Sequence, residues 1–317
     1  MPSPNLTDQQ FIAAWNTHRS SPRMAKATGI SVQCVTSRRR RIEKRYGMTL
    51  TTEDHYGRES TLGYKPALVV SRNEIKLYDG IALAFSDAHY WPGEPSTSHK
   101  ALLKIAKRLK PRVVIANGDV FDGASISRHD KHGWEKLPSV MAELTAVKTR
   151  MSEVERAAPG AILLRTRGNH DARYERFLSM NVPEYRGVGG FSLTDHLPKW
   201  QESWSVLLNG NTMVKHRWHN GVHAAYNNVM KSGLNIVTGH LHALQSRPYT
   251  DYNGTRYGVD TGTLADPNGP QFEYAEDNPK NHREGFVVLT FKKGKLLPPE
   301  LVEVVDGVAY FQGRAVK

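Results

Sequence analysis

The chain has one cysteine, Cys34, among 317 residues. No internal disulfide can form, and a reducing compartment, the cytoplasm, is the expected setting. No uninterrupted apolar run reaches the length of about 18 residues that a membrane-spanning helix needs, so no membrane is expected. The opening Met1-Pro2-Ser3-Pro4-Asn5 has no basic stretch followed by an apolar one, and no secretory leader is expected. Internal repeats and low-complexity tracts are absent too. The hydrophobic share of 39% is enough for a substantial core, and the length suits one large domain plus a small one.

Acidic residues are scarce at one end. The formal net charge is +12, and nine basic residues fall within positions 1–47: Arg19, Arg23, Lys26, Arg38, Arg39, Arg40, Arg41, Lys44 and Arg45. Only Asp8 and Glu43 oppose them. Basic charge so concentrated points to a polyanionic partner, nucleic acid first, with a solvated helix face as the plain alternative.

Residues 6–46 read as three helices. Thr7 and Gln10 form a capping box ahead of Phe11-Ile12-Ala13-Ala14-Trp15. Ser21-Pro22 opens a second helix with proline at its first position, and Gly29 closes it. Ser31 caps a third, running through Val32, Val35 and Ile42 to Tyr46-Gly47. The stretch from Ala25 through Gly29 to Val35 resembles a helix-turn-helix, in which glycine makes the turn and a β-branched residue anchors the second helix. That helix would present Gln33, Thr36, Ser37, Arg38, Arg39, Arg40 and Arg41 to a DNA groove. A protein-docking bundle is the rival reading of the same module. Cys34 is expected to be a small buried apolar residue.

Residues 48–65 are polar and aperiodic and read as a linker, which leaves 1–47 and 66–317 as the domains. From Pro66 on, strands and helices alternate. Ala67–Val70 and Ile75–Tyr78 lead to Asp79-Gly80, a hairpin turn signal, and then to a buried strand at 81–85. A helix over 98–109, a strand at 113–115, a long helix over 135–157, a strand at 162–164 and a helix over 172–180 follow. Further strands are expected at 204–208, 212–216, 234–238, 256–260, 285–291 and 301–305. The pattern predicts an α/β protein, a β-sandwich flanked by helices, behind a small all-α domain.

Four clusters stand at or just past strand ends: Asp87-Ala88-His89, Gly118-Asp119-Val120-Phe121-Asp122-Gly123, Gly168-Asn169-His170-Asp171 and Gly239-His240-Leu241-His242. Open α/β sheets bind ligands at such strand ends. Asp87 and His89 are two apart, as are His240 and His242, so on an extended chain each pair points to one face. The glycines let the backbone turn sharply and bring side chains close. Carboxylates and neutral imidazoles suit borderline divalent metals. One such cluster would be an ordinary strand-end turn; four in this order are not expected by chance.

The set resembles the calcineurin-like metallophosphoesterase superfamily, whose pattern is D-x-H, G-D-x-x-D, G-N-H-D/E, a further His and G-H-x-H, and the resemblance covers residues 76–270. It implies two divalent metal ions, Mn2+ first, with Fe, Zn or Ni as alternatives. It implies that Asp87, His89, Asp119 and His242 hold one ion, and that Asp119, Asn169, His240 and the further histidine hold the other. His170 would be the substrate-facing acid and Asp122 would orient it. For the further histidine the candidates are His216, His219 and His223. His216 ends a strand-like segment, the family's usual place for it, although Arg217 follows where glycine is usual.

Protein serine/threonine phosphatases of the superfamily carry arginine after G-D-x-x-D and Glu after G-N-H; here Gly123 and Asp171 stand instead. That favours the phosphodiesterases and repair-type nucleases. Arg128, His129 and Trp134, with Lys131 and His132, follow Asp122 and are candidates to grip a phosphate backbone and stack a base. Arg165, Arg167, Arg173 and Arg176 flank the third motif. The expectation is a DNA nuclease. The rivals are a protein or small-nucleotide phosphatase or phosphodiesterase with a protein-docking module, and a DNA-binding regulator with a non-catalytic scaffold.

Overall fold

The computed structural model describes residues 6–50, 69–129, 133–134, 136–185 and 187–317. Two compact units emerge, Met1–Pro66 and Ala67–Lys317. Most of the expected linker, and Lys131 and His132, lie outside the described residues.

In the first unit, α1 (Asp8–His18), α2 (Ser21–Thr28) and α3 (Val32–Tyr46) follow the capping signals. Thr7 Oγ1 accepts from Gln10 N at 3.2 Å, and Gln10 Oε1 accepts from Thr7 N at 2.9 Å. Ser20 caps α2, so Pro22 takes its second position rather than its first. Phe11, Trp15, Met24, Val35, Ile42 and Leu50 form the core. Cys34 is exposed, contrary to expectation. Val35 faces inward, and the residue before it on a helix points about 100° away.

The second unit opens with β1 (Asn73–Ile75), β2 (Gly80–Phe85), α4 (Thr97–Leu109) and β3 (Val113–Asn117). Next come α5 (Val140–Ala157), β4 (Ile162–Thr166), α6 (Asp171–Asn181) and the single turn α7 (Leu193–His196). Then β5 (Gln201–Ser203), β6 (Val206–Leu208), β7 (Thr212–Val214), α8 (Ala224–Ser232) and β8 (Asn235–Thr238) follow. The chain ends with β9 (Gln245–Asp251), β10 (Gly254–Asp260), β11 (Gly285–Lys292), β12 (Lys295–Leu296), β13 (Glu300–Val305), β14 (Val308–Phe311) and β15 (Arg314–Ala315).

Two sheets result. One runs β1-β6-β7-β8-β10-β9; the other runs β15-β14-β13-β11-β2-β3-β4-β5, with β12 beside β11. Strand alternation decides what lies between and outside them. On β2, Ala82 and Ala84 join Val113, Ile115, Leu164, Val287 and Leu289 of the larger sheet against Val206, Leu208, Val214, Val237 and Val259 of the smaller. The alternate residues Leu83 and Phe85 face outward and are covered by Leu102 and Ile105 of α4 and by Val147, Met151 and Val154 of α5. This is the sandwich flanked by helices that the sequence predicts.

Several boundaries differ. The Asp79-Gly80 turn makes no hairpin: β1 pairs in parallel with β6, whereas β2 enters the other sheet, so the turn carries the chain between sheets. α5 begins at Val140 rather than 135 because Ser139, behind Pro138, caps it and accepts from Ala142 N at 3.2 Å. The strand expected at 204–208 is β6, which starts two residues later in the smaller sheet; β5, just before that range, is a separate strand of the larger sheet. β9, β12, β14 and β15 are not expected from the sequence: β9 has a mixed burial pattern, β12 and β15 are two residues long, and β14 alternates in burial while all four of its residues, Val308–Phe311, are apolar.

Candidate metal centre

The loops after β2, β3, β4 and β8 meet at one edge of the sandwich. Beyond the strand ends, Asp87 N and His89 N donate to the carbonyls of Gly118 and Asp119, each at 3.0 Å, so the first two motifs run side by side. Asp87, His89, Asp119, His240 and His242 all have left-handed backbone, with φ of 51°, 38°, 54°, 73° and 57°. The D-x-H and H-x-H pairs are therefore not extended. Asp and His tolerate this conformation better than most residues, yet each instance costs on the order of 1–3 kcal/mol and persists only where surroundings enforce it.

The glycines enforce it by proximity. A Cβ on Gly168 would overlap the Asp119 carboxylate, and one on Gly118 would overlap the His216 ring. Asp171 fastens the loop from the other side. Its Oδ2 accepts from Asp119 N and Gly168 N at 3.0 Å, and its Oδ1 accepts from Val120 N at 3.0 Å and Phe121 N at 3.1 Å. Arg165 lies 3.5 Å from the same carboxylate. Asp171 is thus the clasp joining the second and third motifs, a role its place after G-N-H did not reveal.

The side chains converge in two groups. Ligand atoms of Asp87, His89 and His242 lie within 4.8 Å of one another, and so do those of Asp119, His216 and His240. Asn169 Oδ1 is 3.2 Å from His216 Nε2 and joins the second group. His216 is the histidine the structure brings in. His219 donates its backbone N–H to Asn228 Oδ1, and His223 is exposed at the start of α8.

Asp87, Asp119, His89 and His216 are buried. Burial pushes the Asp87 carboxyl up, but His242 and His216 beside it prevail and hold it at about 2. Asp119 is held well below the usual carboxylate range, His216 outweighing burial. Burial pushes the His216 imidazole down, yet Asp119 and Asp87 raise it to about 10. His240 is lowered by burial and by His216. These side chains therefore stand in for one another's missing counter-charge.

The donor set fits divalent cations. His89 Nε2 and Asp119 Oδ2 are buried and have no hydrogen-bond partner, which is rare for such atoms. Two buried carboxylates facing imidazoles are costly without cations between them, and oxygen with imidazole nitrogen is a common donor set for Mn, Fe or Zn.

A third group sits beside the first. Asp122 Oδ1 is 2.8 Å from Nδ1 of His89 and 2.8 Å from Nδ1 of His170. Burial raises the Asp122 carboxyl, but the hydrogen bonds to His170 and His89 outweigh it and hold it low. One carboxylate therefore fixes the rings of a candidate ligand and of the candidate acid together.

Other residues enter unannounced. Thr263 Oγ1 donates to Asp87 O at 2.7 Å, so the loop after β10 braces Asp87. The His282 ring lies 4.4 Å from that of His242, and Phe272 packs on both. Nothing in the spacing of His282 marks it. Arg128, His129 and Trp134 are exposed, and His129 N donates to Ser127 Oγ at 3.3 Å. They are not drawn into the cluster.

The proposed DNA-contacting residues on α3 divide. Arg38 pairs with Asp8 at 3.4 Å and lies over Phe11; Arg39 lies over Trp15 and pairs with Glu43. Thr36 Oγ1 bonds Ser21 Oγ at 3.1 Å. These three tie the helices together. Gln33, Ser37, Arg40 and Arg41 are exposed, as is Lys44.

Comparison with known proteins agrees with this geometry. The chain is 26% identical over 235 residues to the Gene 54 protein of Mycobacterium phage L5, covering 68% of this chain and 90% of that one. It is likewise 26% identical over 228 residues to the Gene 54 protein of Mycobacterium phage D29, covering 66% and 88%. Among solved structures, Yfce, a phosphoesterase from E. coli, aligns over 69% of this chain and 97% of its own, with 15% identity and a TM-score of 0.33. Residues 82–261, more than half the chain, match the family profile described as calcineurin-like phosphoesterase. With the four motifs gathered around two groups of metal-type donors inside that span, this chain belongs to the calcineurin-like phosphoesterases, hydrolases that work with divalent metal ions.

Proposed function

We propose that the protein is a two-metal phosphodiesterase acting on DNA, a nuclease whose N-terminal helices hold the substrate near the catalytic unit, and that Mn2+ is the metal. Asp87, His89, Asp119 and His242 hold one ion; Asp119, Asn169, His216 and His240 hold the other. When bound, such a pair screens the phosphoryl oxygens and lowers the pKa of a bound water toward about 7.

The protein's own groups supply the rest. Asp122, fixed by two imidazoles, orients His170 so that its second nitrogen points away from the carboxylate, where a leaving oxygen needs a proton. Such an acid matters most for a diester, whose alkoxide leaving group is poor. Gly123 takes the place where the serine/threonine phosphatases carry arginine, which favours a diester over a phosphoprotein as substrate.

The observation that carries the DNA reading is the exposed line Gln33, Ser37, Arg40, Arg41 and Lys44 on α3. Residues 33, 37, 40 and 44 follow the three-and-four spacing of one helix face, opposite the buried Val35 and Ile42. Each lysine or arginine that meets a phosphate releases counterion. The test is cleavage of long DNA and of bis(p-nitrophenyl) phosphate, with Mn2+, across salt concentrations. DNA cleavage is expected to fall steeply with salt while the small diester barely responds. Deleting residues 1–47 should depress only the former. Equal loss on both substrates removes the tethering role, and no hydrolysis of either with Mn2+ removes the enzyme reading.

A further inference from the structure

Each of the two metal-type donor groups has an exposed aromatic ring beside it. At the second group the loop after β7 carries His216, Arg217, Trp218 and His219 in succession. His216 Nδ1 donates to Asn117 O at 2.8 Å, and His219 N donates to Asn228 Oδ1 at 3.2 Å, so the loop is anchored on both sides of Trp218. Trp218 is exposed and two residues from His216, a span of at most about 7 Å. Its ring centre is 4.8 Å from that of His219, inclined at 35°, and Lys215 Nζ lies 5.9 Å away, at the outer limit of a cation–π pair. Arg217, also exposed, stands where the family carries glycine.

At the first group the ring is Tyr274, in the short helical segment Pro270–Ala275. Gln271 Nε2 of that segment donates to His89 O at 3.3 Å. The buried Phe272 ring packs 5.7 Å from that of His89 and 5.3 Å from that of His242. Tyr274 meets Phe272 edge-on at 6.4 Å and is exposed. Burial and then the Asp122 carboxylate push its hydroxyl up, so it lies within electrostatic reach of the group that holds His170. A single ring on a surface needs no explanation. One at each donor group, carried by segments that also touch the ligands, does.

We propose that Trp218 and Tyr274 stack the two bases that flank the scissile phosphate, so that the substrate is single-stranded DNA. This rests on the phosphodiesterase reading above. A diester held across both donor groups carries one nucleoside on each side, and each side has its ring. Stacking on an aromatic side chain accepts any base, because every base has a π face. In a duplex those faces are covered by neighbouring bases, and a base must be unstacked before a side chain can take it. Tolerance of sequence and preference for the unpaired strand therefore come from the same two rings.

The test uses the full chain loaded with Mn2+, the variants W218A, W218F, Y274A and Y274F, and two probes. One is a dithymidine phosphorothioate, which resists hydrolysis and has a base on each side; the other is inorganic phosphate, which has none. W218A and Y274A should each bind the dinucleotide about tenfold more weakly, with phosphate affinity and metal content as in wild type. W218F and Y274F keep a ring and should stay within about threefold of wild type. Wild type should cleave a single-stranded oligonucleotide at least about tenfold faster than its duplex, and either alanine variant should narrow that ratio. Dinucleotide affinity within twofold of wild type in either alanine variant overturns the proposal, as does an equal loss on phosphate or a duplex cleaved as fast as the single strand. If an alanine variant fails to fold, W218L or Y274L binding the dinucleotide as wild type does overturns it too, since leucine covers the site without a π face. A wild type that cleaves no diester yet binds the dinucleotide through both rings removes the functional reading and leaves the stacking site standing.

Discussion

Nε2 of His216 lies 3.0 Å from Oδ2 of Asp119, yet that oxygen accepts no hydrogen bond. Charge draws the two groups together while their alignment leaves a donor pair facing a shared point. A metal ion resolves this arrangement, and the pH behaviour of the protein should report it.

Proton release is the first consequence. In the metal-free protein His216 is raised to about 10, above its ordinary 6.5. Its charged form therefore stabilises the metal-free fold fully below pH 6.5, and that contribution is lost as pH rises through 10. A metal takes the neutral imidazole, so binding at pH 8 should expel close to one proton from this residue, and affinity should tighten about tenfold per pH unit up to 10. Titration calorimetry in two buffers of different ionisation enthalpy measures the proton directly. A pH-independent affinity with no proton released would contradict the assignment.

Asp119→Ala should strip metal from both groups and lower turnover on the order of a hundredfold or more, because in the proposed site this carboxylate would be a ligand of both ions. Metal analysis of the dialysed variant beside its hydrolysis rate checks this. Wild-type metal content would show that the side chain is no ligand.

His170→Ala separates chemistry from metal binding. Metal content should stay at the wild-type level. Turnover of a dinucleotide should drop about 10²–10⁴-fold, the usual worth of a placed acid. Hydrolysis of bis(p-nitrophenyl) phosphate, whose leaving group needs no proton, should drop far less. Equal losses on both substrates would deny His170 the role of acid.

Gly168→Ala tests the packing of the third motif against the second. The added methyl falls on the Asp119 carboxylate. A loss of about 1–3 kcal/mol in stability is expected, as for overpacked sites, together with lost metal. Chemical denaturation of the metal-free variant gives the first and metal analysis the second. An unperturbed variant would mean that the loops sit further apart.

Much of this was legible beforehand because glycine, carboxylate and imidazole residues recur at fixed short spacings after buried strands. The strands themselves read clearly where both faces are covered, as in Val113–Asn117, and poorly at the sheet edges, as in Arg314–Ala315. Asp79-Gly80 carries a hairpin signal in its local sequence, and only the pairing of β1 with β6 shows that the chain changes sheet there. Roles set by distant partners were not legible. Asp171 reveals itself by four backbone N–H groups, three of them some fifty residues upstream. The Arg38–Arg41 run looked uniform, but helical geometry turns Arg38 and Arg39 onto Phe11 and Trp15 and leaves Arg40 and Arg41 outside.

The most direct measurement is the anomalous scattering of crystals grown with Mn2+. The account predicts two peaks about 3.5–4 Å apart, one among Asp87, His89 and His242 and the other among Asn169, His216 and His240, with Asp119 between them. Crystals that show no peak within reach of Asp119, or whose manganese lies elsewhere on the chain, would contradict it.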